Sequence, residues 1–156
     1  MSDKIAFRES QSMRQWWLWA FVLGVQAISF ILVFREEGIS TGILLWIIIP
    51  MFGINGLLYF AKLVTEVREE GIYLRFIPFH FKWVKIDYTN IEQYESIKYN
   101  PMRDYGGWGI KWGREGKAYN ISGNLGVKLM LNDGKRIMIG SQRPDQMVEA
   151  ISKFNS

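Results

Sequence analysis

The residues best placed for chemistry lie in one glycine-rich run, Gly106-Gly107-Trp108-Gly109, continuing to Gly113 and Gly116. Backbone amides in such a run can cradle a phosphate. This one lacks the Gly-Lys-Ser/Thr ending of a P-loop, and Trp112 stands where the last glycine of G-x-G-x-x-G belongs. No helical pattern follows it. The glycines are therefore expected to supply positive φ angles and close backbone approach in a twisted β-loop. Trp108 and Trp112 stand near Lys111, Arg114 and Lys117, with Arg103 in the preceding segment Tyr99 to Asp104. Rings beside cations suit a lipid headgroup layer or a protein partner, whereas burial of the rings would leave only solvated cations.

Other chemistries are poorly supplied. There is no cysteine, which removes disulfides, thiolate metal sites and cysteine nucleophiles. The single histidine, His80, sits between Phe79 and Phe81 without a second ligand nearby. Glu66, Glu69 and Glu70 read as a solvated face rather than a catalytic pair. Asn120-Ile121-Ser122 matches a glycosylation sequon, expected to be unused on the cytoplasmic side. No nucleophile with its base, no metal shell and no cofactor fingerprint is legible, so neither an enzyme nor a cofactor is expected.

The elements that must carry these residues begin with two apolar stretches, 16–34 and 43–61, neither containing Asp, Glu, Lys, Arg or His. As a helix each would reach roughly 28 Å, close to the ~30 Å hydrocarbon thickness of a bilayer. The first is longer than a usual signal core and no small-x-small cleavage pattern follows, so both are expected to be retained spans. Basic residues flank them on one side: Lys4, Arg8 and Arg14 before, Lys62, Arg68 and Arg75 after, against Arg35 with Glu36 and Glu37 in the connection. That bias predicts both termini in the cytoplasm and the connection outside, in the cell membrane. Trp16, Trp17 and Trp19 fit an inner aromatic belt, with Trp46 near the outer end. Within the spans, Ala20 with Gly24 forms a small-xxx-small pair, and Gln26, Ser29 and Asn55 are polar. Pro50, Gly53 and Gly56 mark a kink or close face. Helix packing is the expected role of these residues, with a conduction pathway as the rival.

From Lys62 onward the charge returns, fifteen Lys+Arg against eleven Asp+Glu, which carries the whole formal +4. A mild basic excess beside a bilayer suits anionic headgroups, and no cluster is dense enough to predict nucleic-acid binding. The pattern changes to period two: strands are predicted at 64–68, 72–77, 81–87, 91–99, 127–131 and 136–139, with short ones at 110–112 and 118–121. Asn132-Asp133-Gly134-Lys135 is a strong hairpin signal. Pro144 and Asp145 open a helix whose Met147, Val148, Ile151 and Phe154 form an apolar stripe. The predicted organisation is a tail at 1–15, a transmembrane hairpin at 16–61 and a mainly-β domain at 62–156. About seven antiparallel strands form that domain, in a strongly bent sheet plugged by one C-terminal helix.

On "VREEGIYLRF", "KIDYTNIEQYE", "GGWGIKWGREGKAYNISGNLGVKLML" and "NDGKRIMIGSQRPDQMVEAI", residues 64–154 resemble the bacterial pleckstrin-homology-like domains attached to short transmembrane hairpins. The resemblance implies a PH-like fold and a binding or assembly module. Glu69-Glu70-Gly71 occupies the loop where phosphoinositide-binding PH domains place Lys and Arg, so an inositol-phosphate pocket is not expected. The expected function is a non-enzymatic membrane protein. Its PH-like domain would meet a protein or lipid-headgroup partner, or a second copy, at the inner leaflet. The alternative is a subunit of an oligomeric channel or transporter.

Overall fold

The computed structural model describes residues 4–35, 40–79 and 82–155. The chain divides into two compact units, residues 13–60 and residues 1–12 with 61–156.

The smaller unit is a helical hairpin, α1 (Trp16–Phe34) and α2 (Thr41–Phe60), both long and apolar enough to cross a membrane. The second helix starts two residues before the predicted span and ends one before it. No residue in either apolar window is buried. Instead a half-buried stripe runs along each helix, through Val22, Gln26, Ser29 and Val33 on α1 and Leu44, Ile48, Met51 and Asn55 on α2. Spacings of three and four place each stripe on one helical face. Pro50 lies inside α2.

The larger unit has two sheets. Strands β1 (Ile5–Ser12), β2 (Lys62–Arg68), β3 (Gly71–Ile77) and β4 (Val84–Ile86) form one, in that spatial order and all antiparallel. Within the predicted tail, Ile5–Ser12 is thus a paired strand. Its residues Ser12 to Arg8 pair with Lys62 to Glu66 of β2, which makes the apolar hairpin an insertion between two paired strands. The strand escapes a hydrophobicity pattern because its inward side chains include Glu9 and Gln11, both buried.

The second sheet runs β5–β8–β9–β7–β6, with β5 (Ile91–Lys98), β6 (Gly109–Gly113), β7 (Gly116–Asn120), β8 (Leu125–Leu131) and β9 (Arg136–Gly140). The count is nine strands among the described residues rather than about seven, in two sheets rather than one bent sheet. The pair β7 and β9 is parallel, against the all-antiparallel expectation. The β6–β7 hairpin lies at the edge of β9 away from β8, to which β9 is antiparallel. The β8–β9 hairpin turns at residues 132–135 as predicted, closed by Leu131 N–H donating to Lys135 O (2.8 Å). The predicted strand over 81–87 is shortened to β4, and Phe81 lies outside the described residues, as does His80.

The core is lined by Leu63, Val67, Ile72, Leu74 and Phe76 of the first sheet and Val127, Leu129 and Ile139 of the second. Helix α4 (Pro144–Ser152) packs on strands of both through Met147, Ala150 and Ile151. Phe154 falls just beyond it, its ring 6.4 Å from that of Tyr88.

Candidate interaction surface

The Gly-rich run is a structural joint. Residues Pro101–Tyr105, expected as loop, form a short helix, α3. Asn100 caps it by accepting from Arg103 N–H (3.1 Å), and Pro101 occupies its first turn. Gly106 then ends the helix in the left-handed region (φ 73°). Gly113 meets the same helix: a Cβ there would overlap the Asp104 carbonyl oxygen and crowd Tyr105 Cα. The glycines let the β6–β7 hairpin lie against α3.

The predicted contact residues do not share one surface. Trp112 and Lys117 are cross-strand partners, and Lys117 Nζ sits 5.1 Å from the Trp112 ring centroid and 4.7 Å from that of Tyr119. Trp112 is 74% exposed. Lys111, one residue earlier, takes the opposite face, paired in register with the buried Ala118 beside Tyr99 and Tyr105. Arg114 is exposed in the turn. Arg103 is exposed on α3 and bonds Asp104 (3.0 Å). Trp108 is half-buried, its indole N–H donating to Gly123 O (3.0 Å). Alternation along β6 separates what nearness in sequence had grouped.

Hydrogen bonds within the fold also occupy several candidates. Asn120 of the sequon is buried, its amide donating to the Tyr99 hydroxyl (3.0 Å) and its carbonyl accepting from Gly109 N–H (2.9 Å). Glu115 accepts from Lys128 (3.0 Å) and Arg136 (3.2 Å), and the Lys128 bond is the first cause holding its carboxyl below the usual range. Asp104 is held low chiefly by the Asn100 backbone N–H, then by Arg103.

Glu66 is not on a solvated face. It is 2% exposed, clamped by Arg68 (Nε–Oε2 2.8 Å) and by Arg8 (3.3 Å). These residues belong to an aromatic–cationic face that sequence reasoning missed, the outer side of the first sheet. Arg68 lies 4.5 Å from the Tyr73 ring centroid and 5.4 Å from that of Trp83, and Arg75 lies 5.9 Å from Trp83. Tyr73 and Arg75 alternating with Ile72, Leu74 and Phe76 is the signal that could have revealed it.

A polar seam fixes β1 to the β9–α4 connection. Glu9 accepts from the Ser141 hydroxyl (2.6 Å) and Gln142 N–H (2.8 Å), and Gln11 donates to Gly140 O (2.7 Å). Nearby, an open groove of about 480 Å³ runs past Ser96, Lys98, Leu125, Arg143 and Asp145. Its Ser96 hydroxyl already donates to Asp145 (2.6 Å).

In the hairpin unit, Asn55 donates to Gln26 Oε1 (2.9 Å) and to Met51 O (2.8 Å), and Ser29 donates to Val25 O (2.9 Å). Each of the three polar span residues thus has a partner within the hairpin. Ala20 and Gly24, in contrast, are exposed, and a Cβ added at Gly24 or Gly53 would meet nothing within 4 Å. These small residues do not make the hairpin's internal contact.

Together these features define a class: a mainly-β unit of two sheets and a C-terminal helix, with an apolar helical hairpin inserted between its first two strands. The chain belongs to a family of unknown function, DUF6141, whose model matches residues 13–155. No curated protein matches it.

Proposed function

We propose that this chain is an integral membrane protein presenting a non-enzymatic, PH-like binding or scaffolding unit at the inner leaflet of the cell membrane. The observation that carries this reading is the pair of charge-free helices with no buried residue in their apolar windows. A soluble fold would cover such surface, because exposing contiguous apolar area to water is costly. The PH-like reading is supported by two sheets with a C-terminal amphipathic helix packed on both. The flanking basic residues favour a cytoplasmic β unit, and the Asn55–Gln26 bond favours packing over a pore as the role of the polar span residues.

The absence of cysteine makes the topology directly testable. In the full chain, Ser40→Cys should react with a membrane-impermeant maleimide added to intact cells. Ser152→Cys should react only after lysis. Reaction of both in intact cells, or release of the chain by alkaline carbonate, would refute the reading. The mass of the protein purified in native lipid, with its co-purifying species, would then report partners and self-association.

A further inference from the structure

Charge is distributed unevenly along the strands of the first sheet, ion-paired at one end and cationic without carboxylates at the other. In register, Ser12, Lys62 and Ile77 form its last row, and Ser10, Val64 and Arg75 form the next row on the same face, beyond Gln11, Leu63 and Phe76. These rows and the adjoining residues Phe79, Lys82 and Trp83 contain three cations and no carboxylate. The other end bears Glu66, Glu69, Glu70 and Asp87, of which Glu66 pairs with Arg8 and Arg68, and Asp87 with Lys85. Six residues of extended strand separate the Lys62 row from the Glu69–Glu70 turn, roughly 20 Å.

The cationic end is also where the apolar helices are attached. Three residues, 13–15, join Ser12 to α1, and Ala61 alone joins α2 to Lys62. Covalent reach therefore confines this end to roughly 10 Å from the helix ends, whatever the angle between the units. The β3–β4 connection leaves from the same row and begins with Pro78 and Phe79, the latter 57% exposed. The buried Arg75 Nε has no hydrogen-bond partner among the described residues.

We infer that this sheet end, which carries Lys62, Arg75, Lys82, Phe79 and Trp83, is a lipid-contacting surface that engages anionic headgroups while Phe79 enters the interface. The inference rests on the membrane reading above. Its physical basis is an exposed ring at the same sheet end as cations that no carboxylate neutralises among the described residues, held at headgroup height by two short connections. A bilayer is favoured over a protein partner because the attachment points and the cations coincide.

The test uses the full chain with single cysteines carrying an environment-sensitive fluorophore at Phe79→Cys, Glu69→Cys or Ile28→Cys. Each is reconstituted in phosphatidylcholine vesicles with or without phosphatidylglycerol, containing a lipid-borne quencher. The label at 79 is expected to shift to the blue and be quenched in anionic vesicles, while that at 69 is neither. Combining Phe79→Cys with Lys62→Gln, Arg75→Gln and Lys82→Gln should remove most of the increment due to phosphatidylglycerol. A label at 28 that is quenched while 79 stays as water-exposed as 69 would overturn this inference and leave the membrane reading intact. Loss of quenching at 28 would overturn both. A shift at 79 that appears in detergent and grows with protein concentration would assign the surface to a second copy and also overturn the inference.

Discussion

Replacing Glu9 by alanine should destabilise the β unit far more than its place near the N-terminus suggests. Glu9 is 7% exposed and its two oxygens accept from the buried Ser141 hydroxyl and from Gln142 N–H. Orphaning a buried hydroxyl costs about 1–3 kcal/mol, and losing a charge-assisted bond at an exposed residue costs about 0.5–1 kcal/mol once water replaces it. Relief of the buried charge returns part of this, so the net loss is about 2–3 kcal/mol. For a unit of roughly a hundred residues, each kcal/mol moves Tm by roughly 4–8 °C, giving a fall on the order of 10–20 °C. The reference is Arg8→Ala on the same strand. Arg8 makes an exposed pair with Glu66, which keeps Arg68, so its loss should cost no more than about 1 kcal/mol. The assay is thermal unfolding of the full chain in detergent, with hydrogen exchange read at the β1 and β2 amides. Equal Tm for the two variants, or unchanged protection of β1, would refute the account of β1 as a strand locked from inside.

Other consequences follow from the same contacts. Gly113→Ala must push α3 away from the hairpin and should cost about 1–3 kcal/mol, whereas Trp112→Ala at an exposed site should stay within about 0.5 kcal/mol; denaturant midpoints distinguish them. In the hairpin, a double-mutant cycle of Gln26→Leu and Asn55→Leu should give a coupling of about 0.5–2 kcal/mol, and zero coupling would remove the Asn55–Gln26 bond as a packing contact. Burial pushes the Tyr88 and Tyr105 hydroxyls up to about 12, with Glu115 adding to the effect at Tyr105. The unfolded chain then loses these protons first, so stability is whole below about pH 10 and falls as pH rises toward 12. Tyr105→Phe should flatten that fall in alkaline denaturation curves; an unchanged slope would count against the burial argument.

Local patterns made much of this protein legible. Two charge-free runs of bilayer length, the hairpin turn at 132–135 and the apolar stripe of α4 each express an interaction between near neighbours in sequence, and all three appear in the structure. What sequence concealed was long-range pairing. Strand β1 lies across the hairpin insertion from its partner β2, and its Glu9 and Gln11 face inward because acceptors and donors 129–133 residues away satisfy them. Polar residues at such positions read as solvent-facing until their partners are known, which turned a strand into a tail. The same limit split Lys111 from Trp112 and brought Arg68, Tyr73, Arg75 and Trp83 to one sheet face. Hydrophobic length and turn chemistry are properties of a segment, whereas strand order and the satisfaction of buried polar groups belong to the assembled sheets.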